Sequence, residues 1–289
     1  MDRGFSAVHP FVCFAYYVII VVFAMILYHP VYLALTLISL IIWILMHDGG
    51  RNLSKSWPFY LISGIVILFI NPLINHRGEN VIFYIYDWPI TLEAVVYGLT
   101  MMLSLLVILL AFVCYQQVVD NHKFLYLFSS FLPKTAFLVM MSMRFVPLLL
   151  MRMKQISVVQ KTRGLDMTDG TVRKRVRDGM QILQILITWS FEGALQTADS
   201  MKARGYGVTK RSSYSDYRMC SGDWLLLAAI IVLAAVTAVG CYFGYGKMTI
   251  YPSLGTIRTD VTSMAFYLVF CILLFIPIFI EEREILIWR

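Results

Sequence analysis

Charge is the scarcest property of this sequence. Asp, Glu, Lys and Arg make up 14% of its 289 residues, while 60% are hydrophobic; an ordinary soluble domain is about a quarter charged. A water-soluble globular fold is thereby excluded. Within the long apolar runs, charge falls almost to nothing, with Glu93 at the edge of one. Ion- and proton-coupled carriers normally place ionisable groups inside the membrane, because those groups form the ion path. Their scarcity argues against a self-standing secondary transporter, leaving only Na⁺ sites built from carbonyls. Five cysteines occur, Cys13, Cys114, Cys220, Cys241 and Cys271, none in a CxxC pair and most within apolar runs. They read as small hydrophobes, so no disulfide framework, metal site or cofactor is expected.

Catalytic motifs are missing as well. Gly246-Lys247 is the nearest approach to a P-loop, but Cys241 stands where that motif needs Gly and Met248 where it needs Ser or Thr. No His-Glu-x-x-His is present. His9, His29, His47, His76 and His122 are scattered, mostly near span edges, and read as interface histidines. Asp166 and Asp169 read as a solvated loop pair. Arg3 precedes the first apolar run and no small-residue cleavage pattern follows it, which reads as an anchor helix.

What is present is membrane-spanning hydrophobicity. Runs at 11–28, 31–46, 58–74, 92–118, 224–243 and 262–280 approach the ~20 residues that cross a bilayer as a helix. His29-Pro30 ends the first run, and His47-Asp48-Gly49-Gly50-Arg51 ends the second. Asn71-Pro72 predicts a kink in the third. The fold class is therefore an all-α membrane protein with about six transmembrane helices. With the N-terminus in the cytoplasm, 21 Lys and Arg residues fall on the inner side, and only Arg77, Lys247 and Arg258 on the outer. That split satisfies the positive-inside rule and places both termini in the cytoplasm. It also accounts for the net charge of +7 without nucleic acid. Trp57, Trp88 and Trp224 sit at span edges, where indole rings favour the interface. The organisation expected is 1–118 with four spans, 119–222 as a cytoplasmic domain, and 223–289 with two spans.

The middle segment is too patterned to be a loop. Pro133 suits a first helical position. From Lys134 an amphipathic helix should run to Arg163, with Pro147 kinking it. The basic run Arg173-Lys174-Arg175-Val176-Arg177 reads as part of the positive-inside bias, in reach of anionic lipid. A second helix is predicted over 178–204, with Leu183, Ile187, Phe191, Ala194, Ala198 and Met201 on one stripe. Ser190, Ala194 and Ala198 are small and four apart, which suits a close helix crossing, although such a stripe is also ordinary core packing.

Both helices end alike, in Thr162-Arg163-Gly164 and Ala203-Arg204-Gly205. A glycine there can take the left-handed conformation that closes a helix. A cation at a helix C-terminus is stabilising by ~0.3–1 kcal/mol through the dipole alone. The repetition favours a second role, because arginine's rigid five-donor fork suits protein contacts.

Three stretches, Arg144-Phe145-Val146-Pro147-Leu148-Leu149, Gln160-Lys161-Thr162-Arg163-Gly164 and 198–207 with Ala203-Arg204-Gly205, resemble in order and spacing the transmembrane T component of energy-coupling factor transporters. The resemblance covers roughly 134–211. It departs where Thr162 replaces the alanine of the first motif, and where Met151-Arg152-Met153 replaces an acidic residue. It implies two long, crossing cytoplasmic coupling helices in a bacterial or archaeal cell membrane. Arg163 with Gly164 and Arg204 with Gly205 would dock two ATP-binding subunits, a heterodimer being suggested by the unequal motifs. Arg144, Pro147, Gln160 and Ala203 would support them. The bilayer part would hold a substrate-binding S component for a vitamin or metal ion, with ATP hydrolysis on the partners. The alternative is a pore-forming permease with its own path, for which Asn71, Ser104, Gln116 and Gln117 are the sparse polar candidates.

The charge split yields a direct test. A cysteine introduced at position 212 of a cysteine-free chain should resist a membrane-impermeant maleimide applied to intact cells. Labelling from outside would invert the topology.

Overall fold

The computed structural model describes residues 4–75, 78, 80–85, 88–129, 131–165, 169–208, 217–246, 248–250, 255 and 260–287. Arg3, His76, Arg77, Asp166, Lys247, Arg258 and position 212, named above, lie outside them. The chain forms two compact units, Met1–Phe124 with Tyr217–Arg289, and Leu125–Asp216.

The first unit opens with a 3-10 turn, Gly4–Ala7, and continues through α1 (Pro10–Ile26), α2 (Pro30–Asp48) and α3 (Arg51–Ile74). An antiparallel hairpin, β1 (Val81–Ile85) and β2 (Trp88–Thr91), leads into α4 (Leu92–Val118). Next comes α5 (Asn121–Ser129), which straddles the boundary between units. The second unit holds α6 (Pro133–Thr162) and α7 (Val172–Ala203), and the chain returns to the first with α8 (Ser221–Tyr242) and α9 (Val261–Ile287). Among the described residues six helices are long and apolar enough to cross a membrane. The chain is a multi-pass helical membrane protein.

The set of six differs from the expected one. The first run forms α1, but α1 has only 17 residues, because Pro30 starts a new helix directly after His29. At 1.5 Å per residue that is about 25 Å, short of a ~30 Å hydrocarbon core. In its place, α6 meets the length and hydropathy of a span. The third helix starts at Arg51 and carries Pro58 and Pro72 inside it. The hairpin and α5 are additions to the expected set. Val81-Ile82-Phe83-Tyr84-Ile85 is rich in β-branched and aromatic residues, as strands are.

Helix α4 packs against α1, α2 and α3, while α9 packs against α2 and α8. The core runs through Tyr16, Ile20, Leu33, Trp43, Ile44, Val107, Ala111, Ile230, Phe270 and Leu273. Hydroxyls tie the helices together. Ser104 donates to the Ala24 carbonyl at 2.8 Å. Tyr16 and Ser39 both donate to the Leu274 carbonyl, at 3.1 and 3.0 Å, in the turn before Pro277 interrupts the α9 ladder.

One end of this bundle gathers a cluster of charged groups. Glu281 is buried, meets His47 Nδ1 at 2.8 Å and accepts the Phe5 N–H at 3.3 Å. The His47 ring stacks on Trp43 at 4.7 Å. Gly4 sits at φ +65°, where a Cβ would run into the Glu281 carboxylate. Lys123, also buried, donates to the Ser6 carbonyl at 2.7 Å and to that of Val118 at 3.4 Å. Phe5 closes the arrangement, packing edge-on against Tyr16 at 5.5 Å. The opposite end buries Glu93, whose Oε1 accepts Asn80 Nδ2 at 2.9 Å, beside the Thr91 cap of α4.

Lys123→Met keeps the apolar stem and removes the ammonium, leaving buried carbonyls with fewer donors. It should cost about 1–3 kcal/mol. The expected readout is a lower thermal midpoint of the chain purified in mild detergent, and an unchanged midpoint would show that the N-terminal turn is held without it.

Candidate functional site

The second unit is a pair of long helices with distinctive ends. Pro133 opens α6 at its first position, where a missing N–H costs nothing. The helix then continues through Pro147 to Thr162. Its end is a two-bond closure. The Leu165 N–H donates to the Gln160 carbonyl at 3.1 Å and the Gly164 N–H to that of Lys161 at 3.1 Å. Gly164 takes φ +81° to permit this. Helix α7 ends in the same way. Tyr206 N–H donates to Met201 at 3.0 Å, Gly205 N–H to Lys202 at 2.9 Å, and Gly205 has φ +76°. Both are the left-handed closure that satisfies the last free carbonyls of a helix.

The closure by itself is not peculiar to these helices. In α8, Gly244 takes φ +88°, and Gly244 and Tyr245 donate to the Cys241 and Gly240 carbonyls. There the residue before the glycine is Phe243; in α6 and α7 it is arginine. Arg163 and Arg204 are both exposed, and neither meets an ion-pair or hydrogen-bond partner among the described residues. Each guanidinium therefore carries five unused donors on a rigid stop.

Ring contacts fix the relative direction of α6 and α7. Phe137, near the start of α6, stacks on Tyr206, just past the end of α7, at 5.4 Å. Midway, Arg152 lies over the Trp189 ring at 4.5 Å, a favourable cation–π placement. The helices thus run antiparallel, and the two arginines stand at opposite ends of the pair. At 1.5 Å per residue, Arg163 lies about 40 Å along α6 from Phe137 and its Tyr206 contact.

The other candidate residues fall variously. Gln160 is buried, its carbonyl serving the α6 closure. Arg144 and Pro147 are exposed on α6, as is Ala203 on α7. Ser190 is half-buried, and Ala194 and Ala198 are exposed. Ser190 and Ala194 border a hollow of about 240 Å³ facing Phe145, Leu148 and Leu149 of α6. A larger side chain at Ala194 has that hollow to enter. The deeply buried residues of α7 are Asp178 and Ile182.

Helix α7 begins at Val172, six residues before the expected start. Arg and Lys are good helix formers, and the basic run therefore occupies the first two turns of the helix rather than a loop. The Phe137–Tyr206 and Arg152–Trp189 contacts have no counterpart among the sequence expectations. An aromatic residue directly after the second Arg-Gly is the one available signal for the former. Among the described residues no three His, Cys, Asp or Glu side chains converge into a metal cage.

The profile of a family described as cobalt transport protein, CbiQ, matches residues 6–214. The energy-coupling factor transporter transmembrane protein of Bacillus subtilis is 34% identical over 102 residues, which are 35% of this chain and 38% of that protein. Its counterpart in Lactococcus lactis is 36% identical over 93 residues, 32% of this chain and 35% of that one. An uncharacterized protein of Mycoplasma pneumoniae is 33% identical over 121 residues, 42% of this chain and 27% of its own length. The chain thus spans less than two-fifths of the length of each of these relatives. The family match takes in α1 to α4 and both Arg-Gly endings, and with it the chain belongs to the CbiQ cobalt transport protein family.

Proposed function

We propose that this chain is the non-catalytic transmembrane scaffold of an energy-coupling factor importer. Two ATP-hydrolysing subunits dock on the helix pair, one at Arg163-Gly164 and one at Arg204-Gly205. The observation that carries this reading is the repeated closure, with two exposed arginines on identical rigid stops at opposite ends of one antiparallel pair. A lever gripped at both ends converts closing and opening of an ATPase dimer into movement of the helices. Arginine in a desolvated groove is a frequent interface anchor. The unequal motifs, with Thr162 in one and Ala203 in the other, favour two different ATPases.

On this reading the functional division is 1–118 and 223–289 as membrane helices, with 119–222 as the cytoplasmic coupling segment and both termini inside. Gly164 and Gly205 turn the chain away from each contact. Ser190, Ala194 and Ala198 are the small-residue stretch assigned to the helix crossing, Ser190 and Ala194 bordering the hollow that faces α6. The bilayer part holds a separate substrate-binding component, and the cargo is a vitamin or metal ion. The names of the Bacillus subtilis and Lactococcus lactis relatives support the transporter class.

Two measurements test the reading. The purified chain alone should neither bind nor hydrolyse ATP, whereas the complex should do both. Turnover by the isolated chain above a mock purification would remove the scaffold assignment. The sharper test concerns the arginines. A cation that only complements a helix dipole is replaceable for less than ~1 kcal/mol, while a docked arginine costs ~2 kcal/mol or more, and reversal of charge costs more again. Arg204→Glu should weaken pull-down of the ATPases. Arg163→Glu with Arg204→Glu should abolish substrate uptake while leaving substrate binding by the partner component intact. A normally inserted double variant that holds its ATPases and transports at the wild-type rate would reduce both endings to helix caps.

A further inference from the structure

The first half of α7 combines two properties that the docking of ATPases does not use. Val172, Val176, Met180, Leu183 and Ile187 are all exposed, Val172 at 77% and Met180 at 62%. At 100° per residue these five fall within roughly a quarter of the helix circumference. Arg173 and Arg177, one turn apart, lie along one border of that stripe, and Arg175 lies beyond the other. All three are exposed, as is Lys174, and none forms an ion pair with a described residue. Among the described residues, the acidic ones nearby do not neutralise them. Asp169 precedes the helix, and Asp178 is buried on the side opposite the stripe. Thr171 makes no side-chain cap, and no acidic residue occupies the first turn.

Beneath the stripe is an apolar hollow of about 380 Å³, lined by Met153 of α6 and by Val176, Met180, Ile182, Leu183 and Leu186 of α7. Cations flanking an apolar stripe with a recess beneath it are the arrangement that an amphiphile with a negative head requires. Four cations crowded at the positive end of a helix dipole also raise the local potential, which an anion relieves. An acidic protein surface would meet the cations but leave the recess unfilled. A neutral lipid would fill the recess and leave the cations unanswered.

We propose that this face of α7 is a binding site for an anionic phospholipid of the bilayer in which the chain resides. The phosphate lies against Arg173 and Arg177. One acyl chain enters the recess between Met153 and the Val176–Met180–Leu183 row. The site pins the start of α7 to the lipid surface, as amphipathic interfacial helices are held. It does not depend on the ATPase reading, since the probe is lipid and no nucleotide enters the test.

The experiment uses the full chain in nanodiscs carrying phosphatidylglycerol or phosphatidylcholine with a photoreactive diazirine on one acyl chain. After illumination and trypsin, labelling is mapped by mass spectrometry on the peptide that runs from Asp178 to Lys202, which in the variant lacking Arg177 begins at Val176. Labelling there should be at least threefold higher with phosphatidylglycerol. Arg173→Gln with Arg177→Gln should bring it down to the phosphatidylcholine level, with peptides of α4 and α9 labelled as before to show normal insertion. Equal labelling by the two headgroups, or a preference that survives the double substitution, overturns the proposal. So does an unlabelled peptide that gains hydrogen-exchange protection only when ATPase subunits are added, because this face would then belong to a protein.

Discussion

An apolar helix bundle has no water with which to satisfy a stray polar group, and the packing of the first unit follows from that constraint. Each polar atom inside it must find a partner among the helices or lie at an end. The Leu274 carbonyl, next to the ladder break at Pro277, takes hydroxyls from α1 and α2 together. The Ala24 carbonyl takes one from α4. Glu281 is tolerated because His47 and the Phe5 N–H meet it, and Lys123 because two backbone carbonyls do. These bonds are also what join sequence-distant pieces. The N-terminal turn, the end of α2, the exit of α4 and the end of α9 are held at one place by three side chains, Glu281, His47 and Lys123. Hydrophobic packing between apolar helices in lipid gives little preference for one arrangement over another. Directional polar contacts give that preference, and here they concentrate at the end of the bundle where α4 gives way to α5.

The closures of α6 and α7 show how a common backbone device becomes specific. A left-handed glycine satisfies the last carbonyls of α6, α7 and α8 alike. What differs is the side chain set just before it. A phenylalanine there suits a membrane helix, and an arginine suits a tip in water. The closure makes the placement definite enough to be useful, because the chain after the glycine departs at a fixed angle and leaves the arginine uncovered. A Cβ at Gly164 or Gly205 would meet nothing within 4 Å, so the glycine requirement at both positions comes from φ alone and not from crowding.

Much of this is legible in the sequence, and the misses have physical causes. Hydropathy locates every helix of the first unit except α5, because uncharged apolar runs of that length are rare outside membrane-spanning helices. The endings at Gly164 and Gly205 are legible because left-handed closure selects glycine. The start of α7 is hidden because its basic residues advertise charge more loudly than helix propensity. The short length of α1 is legible too, because His29-Pro30 ends its apolar run and Pro30 opens the next helix. The hairpin lies between two strong helical signals, where five residues of β-branched and aromatic character carry little weight. Ser190, Ala194 and Ala198 are legible as a stripe. Which of their faces is covered is not, since small residues suit both a helix crossing and an open surface.

The second unit is unlike the first in what it leaves uncovered. Across the 30 residues of α6 and the 32 of α7, four are buried: Ala136, Gln160, Asp178 and Ile182. Two of those are polar, and Asp178 Oδ2 has no hydrogen-bond partner among the described residues. Fully burying one isoleucine contributes ~1.5–3 kcal/mol; the rest of the apolar contact comes from half-buried side chains such as Phe145, Leu149, Met153 and Leu186. Helices draw most of their stability in proteins from packing an apolar face, and here Leu138, Met140, Val146, Leu150, Phe191 and Leu195 are all exposed. Exposed apolar surface on this scale marks an interaction surface. The bilayer supplies one such environment and partner proteins another. A helix pair with so little fully buried core leaves much of its apolar surface to be covered by its surroundings, which fits the transmitting role proposed above.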